Sequence, residues 1–215
     1  MTAECPGSKN RKPGLFIAFE GIDGSGKSSH LRQLAAFLRQ QGHNVVETRE
    51  PTNGVHGQRI RSLFSKRELL SREEELELFL LDRKEHVETC IKPALAAGQI
   101  VLTDRYYFST AAYQGAAGMD TAAIFAKNSF APEPDLVLLL QVPPEEGVRR
   151  IREQRRERPN DFEQEDQLIK VDALFNSFPQ ACIKRIDSTA ERGTVQAQIR
   201  QLVRELCQAR CVSCR

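Results

Sequence analysis

Eight consecutive residues near the start of the chain have the types and spacing that bind the phosphate groups of a nucleotide. Residues 21–28 fit the pattern G-x-x-x-x-G-K-[ST]. Its glycines let the backbone approach phosphate oxygens, and unpaired N–H groups at the start of the following helix point at the anion. Lys27 would reach the β- and γ-phosphates, and the Ser28 hydroxyl would ligate Mg²⁺. The predicted phosphate-binding residues are Gly21, Ile22, Asp23, Gly24, Ser25, Gly26, Lys27, Ser28 and Ser29.

A second group of charged residues follows later strand-like segments. Asp104 and Arg105 come directly after the apolar run 100–103, and Arg49 lies at the end of an earlier predicted strand. An acidic side chain in this position holds the Mg²⁺ shell in phosphate-loop enzymes, so Ser28 and Asp104 are the predicted metal ligands. Arg105 would grip a second phosphate group through charge-assisted hydrogen bonds. The alternative is a local ion pair between Asp104 and Arg105 at the surface.

Arginines cluster between residues 149 and 158. One interpretation is a lid over residues 150–162 that closes its arginines over the transferring phosphoryl group. A second is a solvated helix face, because Glu153 and Glu157 are interleaved with the arginines. A third is an RNA-binding surface, but the cluster has no interleaved aromatic residues for base stacking. Next to a phosphate loop, the lid is the favoured interpretation.

The elements that must position these residues alternate between strand and helix. Apolar runs at 15–19, 45–46, 100–103 and 136–140 predict strands, and the segment 183–186 is predicted as a short last strand. Helices are predicted after the phosphate loop, from the Ser71–Glu74 capping box, from Pro144 and over 195–207, with Pro93 kinking or restarting the second of them. The pattern predicts an α/β phosphate-loop NTPase with three αβα layers, a parallel sheet of about five strands and a helical lid. The ligand would lie at the carboxyl ends of the strands.

Length, charge and composition limit the classes of partner. The 215 residues fit a single domain at 15–208, with a disordered extension at 1–14 and a frayed tail at 209–215. The formal net charge of +2 is too small to suggest a nucleic-acid or membrane partner by itself, and the N-terminus lacks an apolar signal-peptide core. We therefore expect a cytoplasmic protein without such partners. Three cysteines near the C-terminus lack a nearby fourth metal ligand and are assigned to the tail.

These residues resemble the thymidylate kinase family of nucleoside monophosphate kinases. The resemblance covers the phosphate loop with its internal Asp23, segment 48–51 after the second strand, and the helical segment 79–83. Residues 104–106 followed by 109–115 form the most specific match, and 162–163 and 186–188 resemble the lid end and the adenine-side loop. Matches run in the family's order from about residue 15 to 188. The resemblance implies transfer of the γ-phosphoryl group of ATP to dTMP, with Mg²⁺, by a homodimer.

The resemblance also implies roles for the acceptor site. Asp23 would hold the sugar 3′-hydroxyl, Phe79 would stack on thymine, and Arg83 would donate a hydrogen bond to a thymine carbonyl. Thr110 and Gln114 would line the base and sugar pocket, and Tyr113 would exclude a ribose 2′-hydroxyl. The residues implied to bind the acceptor are Asp23, Arg49, Phe79, Arg83, Arg105, Thr110, Tyr113 and Gln114, with Arg105 and Arg49 on its phosphate.

On the donor side, the resemblance implies that Arg149 lies on the adenine of ATP. The phosphate loop has no arginine, so the lid would supply the catalytic one, with Arg156 the first choice and Arg152 the second. The implied catalytic residues are Lys27, Asp104, Arg105, Arg156 and Arg152.

The chain departs from the common bacterial pattern of the family after Pro51, where Thr52, Asn53 and Gly54 replace paired glycines. Two other functions remain open. A kinase for another small acceptor would keep the phosphate loop but lack the Phe79–Arg83 base clamp. A non-catalytic, ATP-binding regulatory module would not need the intact Lys27, Ser28 and Asp104.

Overall fold

The computed structural model of the protein describes residues 14–63, 70–155 and 165–209. Strands and helices alternate along the chain as the sequence predicts. The strands are β1 (Leu15–Glu20), β2 (Val45–Arg49), β3 (Ile100–Asp104), β4 (Leu136–Gln141) and β5 (Ile183–Asp187). The helices are α1 (Lys27–Gln40), α2 (Val55–Ser62), α3 (Arg72–His86), α4 (Lys92–Ala96), α5 (Tyr107–Ala116), α6 (Thr121–Lys127), α7 (Pro144–Arg155), α8 (Glu165–Ser177) and α9 (Arg192–Ala209).

The five strands form one parallel sheet in the order β2-β3-β1-β4-β5. In this register Phe19 lies beside Asp104 and Arg49 lies on the other side of Asp104. All five carboxyl ends therefore meet at one edge of the sheet, where Arg49 and Asp104 lie near the start of the phosphate loop. The parallel sheet and the three-layer architecture confirm the predicted fold class.

Alternating side chains of β1 enter two separate cores. Leu15, Ile17 and Phe19 pack with α1 and α9 on one face of the sheet. Phe16 and Ala18 pack on the opposite face, in a core built with α3, α5 and α8. Because both faces are covered by helices, the central strands are apolar throughout, which explains the continuous apolar run at 136–140.

The long helical segment beginning at Arg72 has the predicted start and the predicted interruption. Ser71 and Glu74 form a capping box, in which each side chain accepts a hydrogen bond from the other residue's backbone N–H. A π-helical turn at Val87–Ile91 follows α3, and α4 then carries Pro93 in its first turn. Proline lacks the N–H that a continuous α-helix needs at that position. The π-helical turn ends before Pro93, and a new helix, α4, begins there, so the missing N–H falls in a first turn where it is not needed.

The predicted boundaries need two corrections. Gly14 was expected in the disordered extension, but it is buried, and its N–H donates to the Leu95 carbonyl. Ala209 was expected in the tail, but it is the last residue of α9. The rest of the extension and the tail lie outside the described residues. So do positions 156–162 of the predicted lid, whose first part belongs to α7.

No helix in the described part of the chain is both long enough and apolar enough to cross a bilayer.

Candidate active site

The phosphate loop joins β1 to α1, and the side chain of Lys27 bonds back to the backbone of the loop. The Lys27 Nζ donates to the carbonyl oxygens of Gly21 and Ile22 at 3.0 and 2.8 Å. Burial and the neighbouring positive charge of Arg105 lower the pKa of Lys27 to about 8. Gly24 has a φ of 80°, and a Cβ there would lie 2.3 Å from the Gly147 carbonyl of α7. The loop therefore needs glycine both for its backbone conformation and for the close approach of α7.

Ser28 and Asp104 meet at the start of α1. The Ser28 hydroxyl donates a hydrogen bond to the Asp104 carboxylate at the end of β3. A hydroxyl and a carboxylate are oxygen ligands of the kind Mg²⁺ prefers, and Mg²⁺ is commonly held by one or two protein groups together with substrate phosphates. Groups of three or more His, Cys, Asp or Glu able to hold a metal are absent from the described residues. By their chemistry, the Ser28 hydroxyl and the Asp104 carboxylate fit the protein part of such a Mg²⁺ site.

Three residues from different elements form an ionic cluster beside the loop. The Asp23 carboxylate accepts from Arg105 Nη2 at 2.7 Å and from the Tyr113 hydroxyl at 2.9 Å. Burial alone would raise the pKa of Asp23, but the charges of Arg105 and Lys27 hold it well below its usual range. The guanidinium of Arg105 also lies 5.0 Å from the centre of the Tyr113 ring. The predicted sugar and phosphate ligands thus form one connected group.

Glu20 lies beneath this cluster and fixes the chain after β3. Its carboxylate accepts from the backbone N–H of Tyr106 at 2.8 Å and from the Ser109 hydroxyl at 2.5 Å. Burial raises the pKa of Glu20 to about 7, although its hydrogen bonds act in the opposite direction. Arg105, between β3 and α5, has a φ of 72°, which costs an L-residue roughly 1–2 kcal/mol. The Glu20 contacts hold the segment in this turn.

A buried polar network occupies the predicted base pocket. Arg83 is 1% exposed and donates to Glu50, to Thr110 at 2.8 Å and to Asn128 at 2.6 Å. Phe79 lies one helical turn before Arg83 and is half-buried. Thr110 and Arg83 are therefore in direct contact, and Arg83 is held in place from three directions.

Gln114 lies one turn after Thr110 on α5, so the two side chains share a helix face. Gln114 is fully buried, and neither its amide oxygen nor its amide nitrogen has a hydrogen-bond partner among the described residues. A buried amide left without partners costs roughly 1–3 kcal/mol. Such a group points to a ligand that offers both a donor and an acceptor.

An open cavity of about 680 Å³ lies beside the metal pair, at the β2 edge of the sheet. Ser28, Asp104 and Arg49 all line it, together with Thr52 and Asn53. The Arg49 Nη2 donates to the Asn53 side-chain oxygen at 3.1 Å. Arg49 is thus exposed at the same edge as Asp104, as the sequence predicts.

The arginines of α7 divide between two environments. Arg149, predicted to lie on adenine, pairs with Glu146 and Glu153 on its own helix and is half-exposed. Arg150 instead reaches the phosphate-loop side, where its Nη2 donates to the Ser188 carbonyl at 3.1 Å. Arg152 is exposed, and Arg156 lies outside the described residues. Arg150, which the sequence analysis did not single out, thus contacts the predicted adenine-side loop.

The sequence analysis also missed buried residues that hold the site residues and their segments in place. Glu20 had a recognisable pattern, because a carboxylate ending a buried strand requires partners. Asp82 and His86 lie one helical turn apart, on either side of Arg83 in the sequence, and both are buried. Asn128, which accepts from Arg83, follows α6 with no local pattern that distinguishes it.

The parallel sheet, with a phosphate loop after its central strand, defines a phosphate-loop NTPase fold. The family model described as thymidylate kinase matches residues 19–199. The thymidylate kinase of Desulfotalea psychrophila is 51% identical over 197 residues, covering 92% of this chain and 98% of that protein. The thymidylate kinase of Xanthomonas campestris pv. campestris is 47% identical over 190 residues, covering 88% and 83%. The chain belongs to the thymidylate kinase family of nucleoside monophosphate kinases.

Proposed function

We propose that the chain transfers the γ-phosphoryl group of ATP to dTMP, giving ADP and dTDP. The observation that carries the choice of acceptor is the fully buried, unpartnered amide of Gln114, one turn from Thr110 and its bond to Arg83. A thymine ring offers an imino N–H next to a carbonyl oxygen, which matches the acceptor and donor of this amide. Arg83 is a cation and would donate to a carbonyl, so it disfavours cytosine, which carries an amino group at that edge. Phe79 would supply the stacking surface.

The ionic cluster suits the rest of the acceptor. Asp23 would accept a hydrogen bond from the sugar 3′-hydroxyl, and Arg105 with Arg49 would bind the acceptor phosphate. Tyr113, whose hydroxyl is tied to Asp23, would present its ring to the sugar C2′ and exclude ribose. A hydroxyl forced against an aromatic ring lacks a partner and costs desolvation energy, which is the basis of the proposed preference for deoxyribose.

Catalysis in this proposal consists of positioning and charge neutralisation, because the acceptor is already an anion and needs no strong base. Ser28 and Asp104 would hold Mg²⁺, which when bound neutralises charge on the phosphate oxygens. Lys27 would exchange its bonds to the loop carbonyls for bonds to the β- and γ-phosphates. Arg156 or, as second choice, Arg152 would approach the transferring group from the lid, while Arg149 or Arg150 would contact the adenine side.

A cytoplasmic homodimer remains part of the proposal. It is supported by the resemblance to the thymidylate kinase family, whose model matches residues 19–199. Light scattering on the purified protein would give its mass in solution, and a monomer at micromolar concentration would contradict the homodimer.

The variant Gln114→Leu tests the assignment of the acceptor. Leucine fills a similar volume without a polar group, so the unliganded protein should unfold at the same or a higher temperature. The KM for dTMP should rise about tenfold or more, because two hydrogen bonds to the base are lost. The measurement is ADP release with dTMP at saturating ATP, together with a thermal melt. A wild-type protein that releases no ADP with dTMP would contradict the proposed function, and an unchanged KM in the variant would remove Gln114 from the base pocket.

A further inference from the structure

Thr52 is the first residue at which the chain departs from paired glycines, and its side chain is tied to α3. Its hydroxyl donates to Asp82 Oδ1 at 2.6 Å, and its backbone N–H donates to Asp82 Oδ2 at 2.9 Å. Asp82 is 1% exposed, so both of its oxygens are committed inside the protein. The Thr52 hydroxyl oxygen also accepts from the Gly54 N–H at 3.0 Å. Thr52 thus connects α3 to the turn that leads into α2.

The opposite side of the same residue is closed by α2. A Cβ at Gly57 would lie 2.1 Å from the Thr52 carbonyl oxygen. Only glycine allows α2 to approach so closely, and the approach leaves Thr52 little room to move. The backbone of Thr52 is therefore held between Asp82 on one side and Gly57 on the other.

The position of Thr52 determines the position of its neighbour Asn53. The Asn53 side-chain oxygen accepts from Arg49 at 3.1 Å and from Arg61 at 3.3 Å. The Asn53 carbonyl accepts from Gln58 at 2.8 Å. Hydrogen bonds thus join Asp82 to Thr52 and Asn53 to the exposed guanidinium of Arg49, and the peptide bond between Thr52 and Asn53 connects the two pairs.

We propose that Thr52 and Asp82 are positioning residues for the acceptor site, which act through Asn53 to orient Arg49 towards the acceptor phosphate. This inference rests on the proposed role of Arg49. In this proposal the pair acts indirectly, through the position of Arg49, and its effect is on acceptor affinity. A glycine in place of Thr52 would retain the backbone bond to Asp82 but lose the hydroxyl bonds that fix the turn. Thr52 therefore restricts the backbone at a position where glycine would leave it flexible.

Thr52→Val and Thr52→Ser form a matched pair for the test. Valine keeps the shape but loses the hydroxyl, so the KM for the acceptor should rise about tenfold, the size expected for one hydrogen bond to a carboxylate. Serine keeps the hydroxyl and should restore the wild-type KM. Ser177→Ala serves as control, because its hydroxyl donates to the Leu174 carbonyl of its own helix, α8, and neither residue lines the cavity beside Arg49. KM values for acceptor and ATP are measured separately by coupled ADP release, with a thermal melt for each variant.

The acceptor in this test is dTMP. If dTMP is inactive with the wild-type protein, the test uses the nucleoside monophosphate that gives the highest activity. Inactivity with dTMP would count against the proposed function and leave the positioning test intact. The positioning role is supported by a selective rise in acceptor KM in Thr52→Val, with the KM for ATP unchanged and rescue by Thr52→Ser. An unchanged acceptor KM, an equal rise in both KM values, or failure of Thr52→Ser to rescue would overturn it. Asp82→Asn, which retains one acceptor oxygen, should fall between the two threonine variants.

Discussion

Arg105 joins three parts of the site through a single guanidinium group. It donates to Asp23 in the phosphate loop, to the Ser109 hydroxyl at 2.8 Å and to the Gly21 carbonyl at 3.3 Å. Its own pKa is raised, because the nearby negative charges, led by Asp23, outweigh the effect of burial. The side chain is 16% exposed, which leaves one edge open to an incoming anion. Arg105, at a strained backbone position after β3, therefore links the phosphate loop to the first turn of α5.

Arg105→Ala should weaken the binding of the acceptor nucleotide far more than the binding of ATP. The acceptor phosphate would lose a charge-assisted partner, which corresponds to a rise of about tenfold or more in the Kd for dTMP. The Kd for an unhydrolysed ATP analogue should change by less than about threefold, because Lys27 and the loop backbone remain. Calorimetric titration of each ligand measures both. Arg39→Ala, which removes an exposed pair with Glu47, is the control. Equal losses for both ligands would contradict the role of Arg105.

At the scale of elements, α3 supports the acceptor site with three residues of its last two turns. Asp82 holds Thr52, Arg83 pairs with Glu50, and His86 lies between Glu50 and Thr48 at 3.0 and 2.6 Å. All of these partners belong to the end of β2 or the segment after it. The capping box at Ser71 fixes where α3 starts, so it also sets which residues face that segment.

Gly57→Ala tests whether the close contact between α2 and the segment after β2 is needed. The added Cβ would meet backbone atoms that no side-chain movement can relieve, so we expect a loss of about 1–3 kcal/mol in unfolding free energy and a higher KM for dTMP. Gly193→Ala is the matched control, because its Cβ would lie 4.0 Å from the nearest atom. Alanine favours a helix over glycine, so the control should be neutral or stabilising. A Gly57→Ala protein as stable and active as wild type would contradict the packing argument.

The sequence predicted the elements whose patterns are local. β1, the phosphate loop and α1 follow from an apolar run, spaced glycines and helical periodicity, and the capping box predicted the start of α3. Four helices, α2, α5, α6 and α8, were not predicted as elements. α5 is buried around most of its circumference, so it has no amphipathic pattern to detect. The order of the strands and the partners of Arg83 depend on contacts distant in sequence, such as that with Asn128, which periodicity cannot reveal.

At the scale of the whole molecule, burying Glu20 makes folding depend on pH. Its pKa rises from 4.5 to about 7 on folding. Between these values the folded protein keeps a proton that the unfolded chain has released, so stability falls as pH rises through this window. Lys27 acts in a separate range, since its pKa falls from 10.5 to about 8 and stability rises with pH between those values.

Glu20→Gln isolates the first effect. Glutamine can accept from Tyr106 and donate to Ser109 without ionising, so it retains the hydrogen bonds. The unfolding free energy of wild type minus that of Glu20→Gln should fall between pH 5 and pH 8 by up to about 3 kcal/mol, with little change above. Denaturant unfolding of both proteins across this range is the measurement. A difference in unfolding free energy that stays flat or rises with pH would show that burial does not raise the pKa of Glu20.

The most direct test of the central claim compares nucleoside monophosphates as acceptors for the wild-type protein, with ATP and Mg²⁺ saturating. Coupled ADP release gives kcat/KM for dTMP, dUMP, UMP, CMP and AMP. The site predicts that dTMP is best and that dUMP, which lacks one methyl group, is about ten- to a hundredfold lower. UMP should fall well below dUMP because of the proposed exclusion of the 2′-hydroxyl by the Tyr113 ring. CMP and AMP should give almost no turnover because they cannot satisfy the proposed base contacts of Arg83 and Gln114 together. UMP used as well as dUMP, or CMP or AMP preferred to dTMP, would contradict the account.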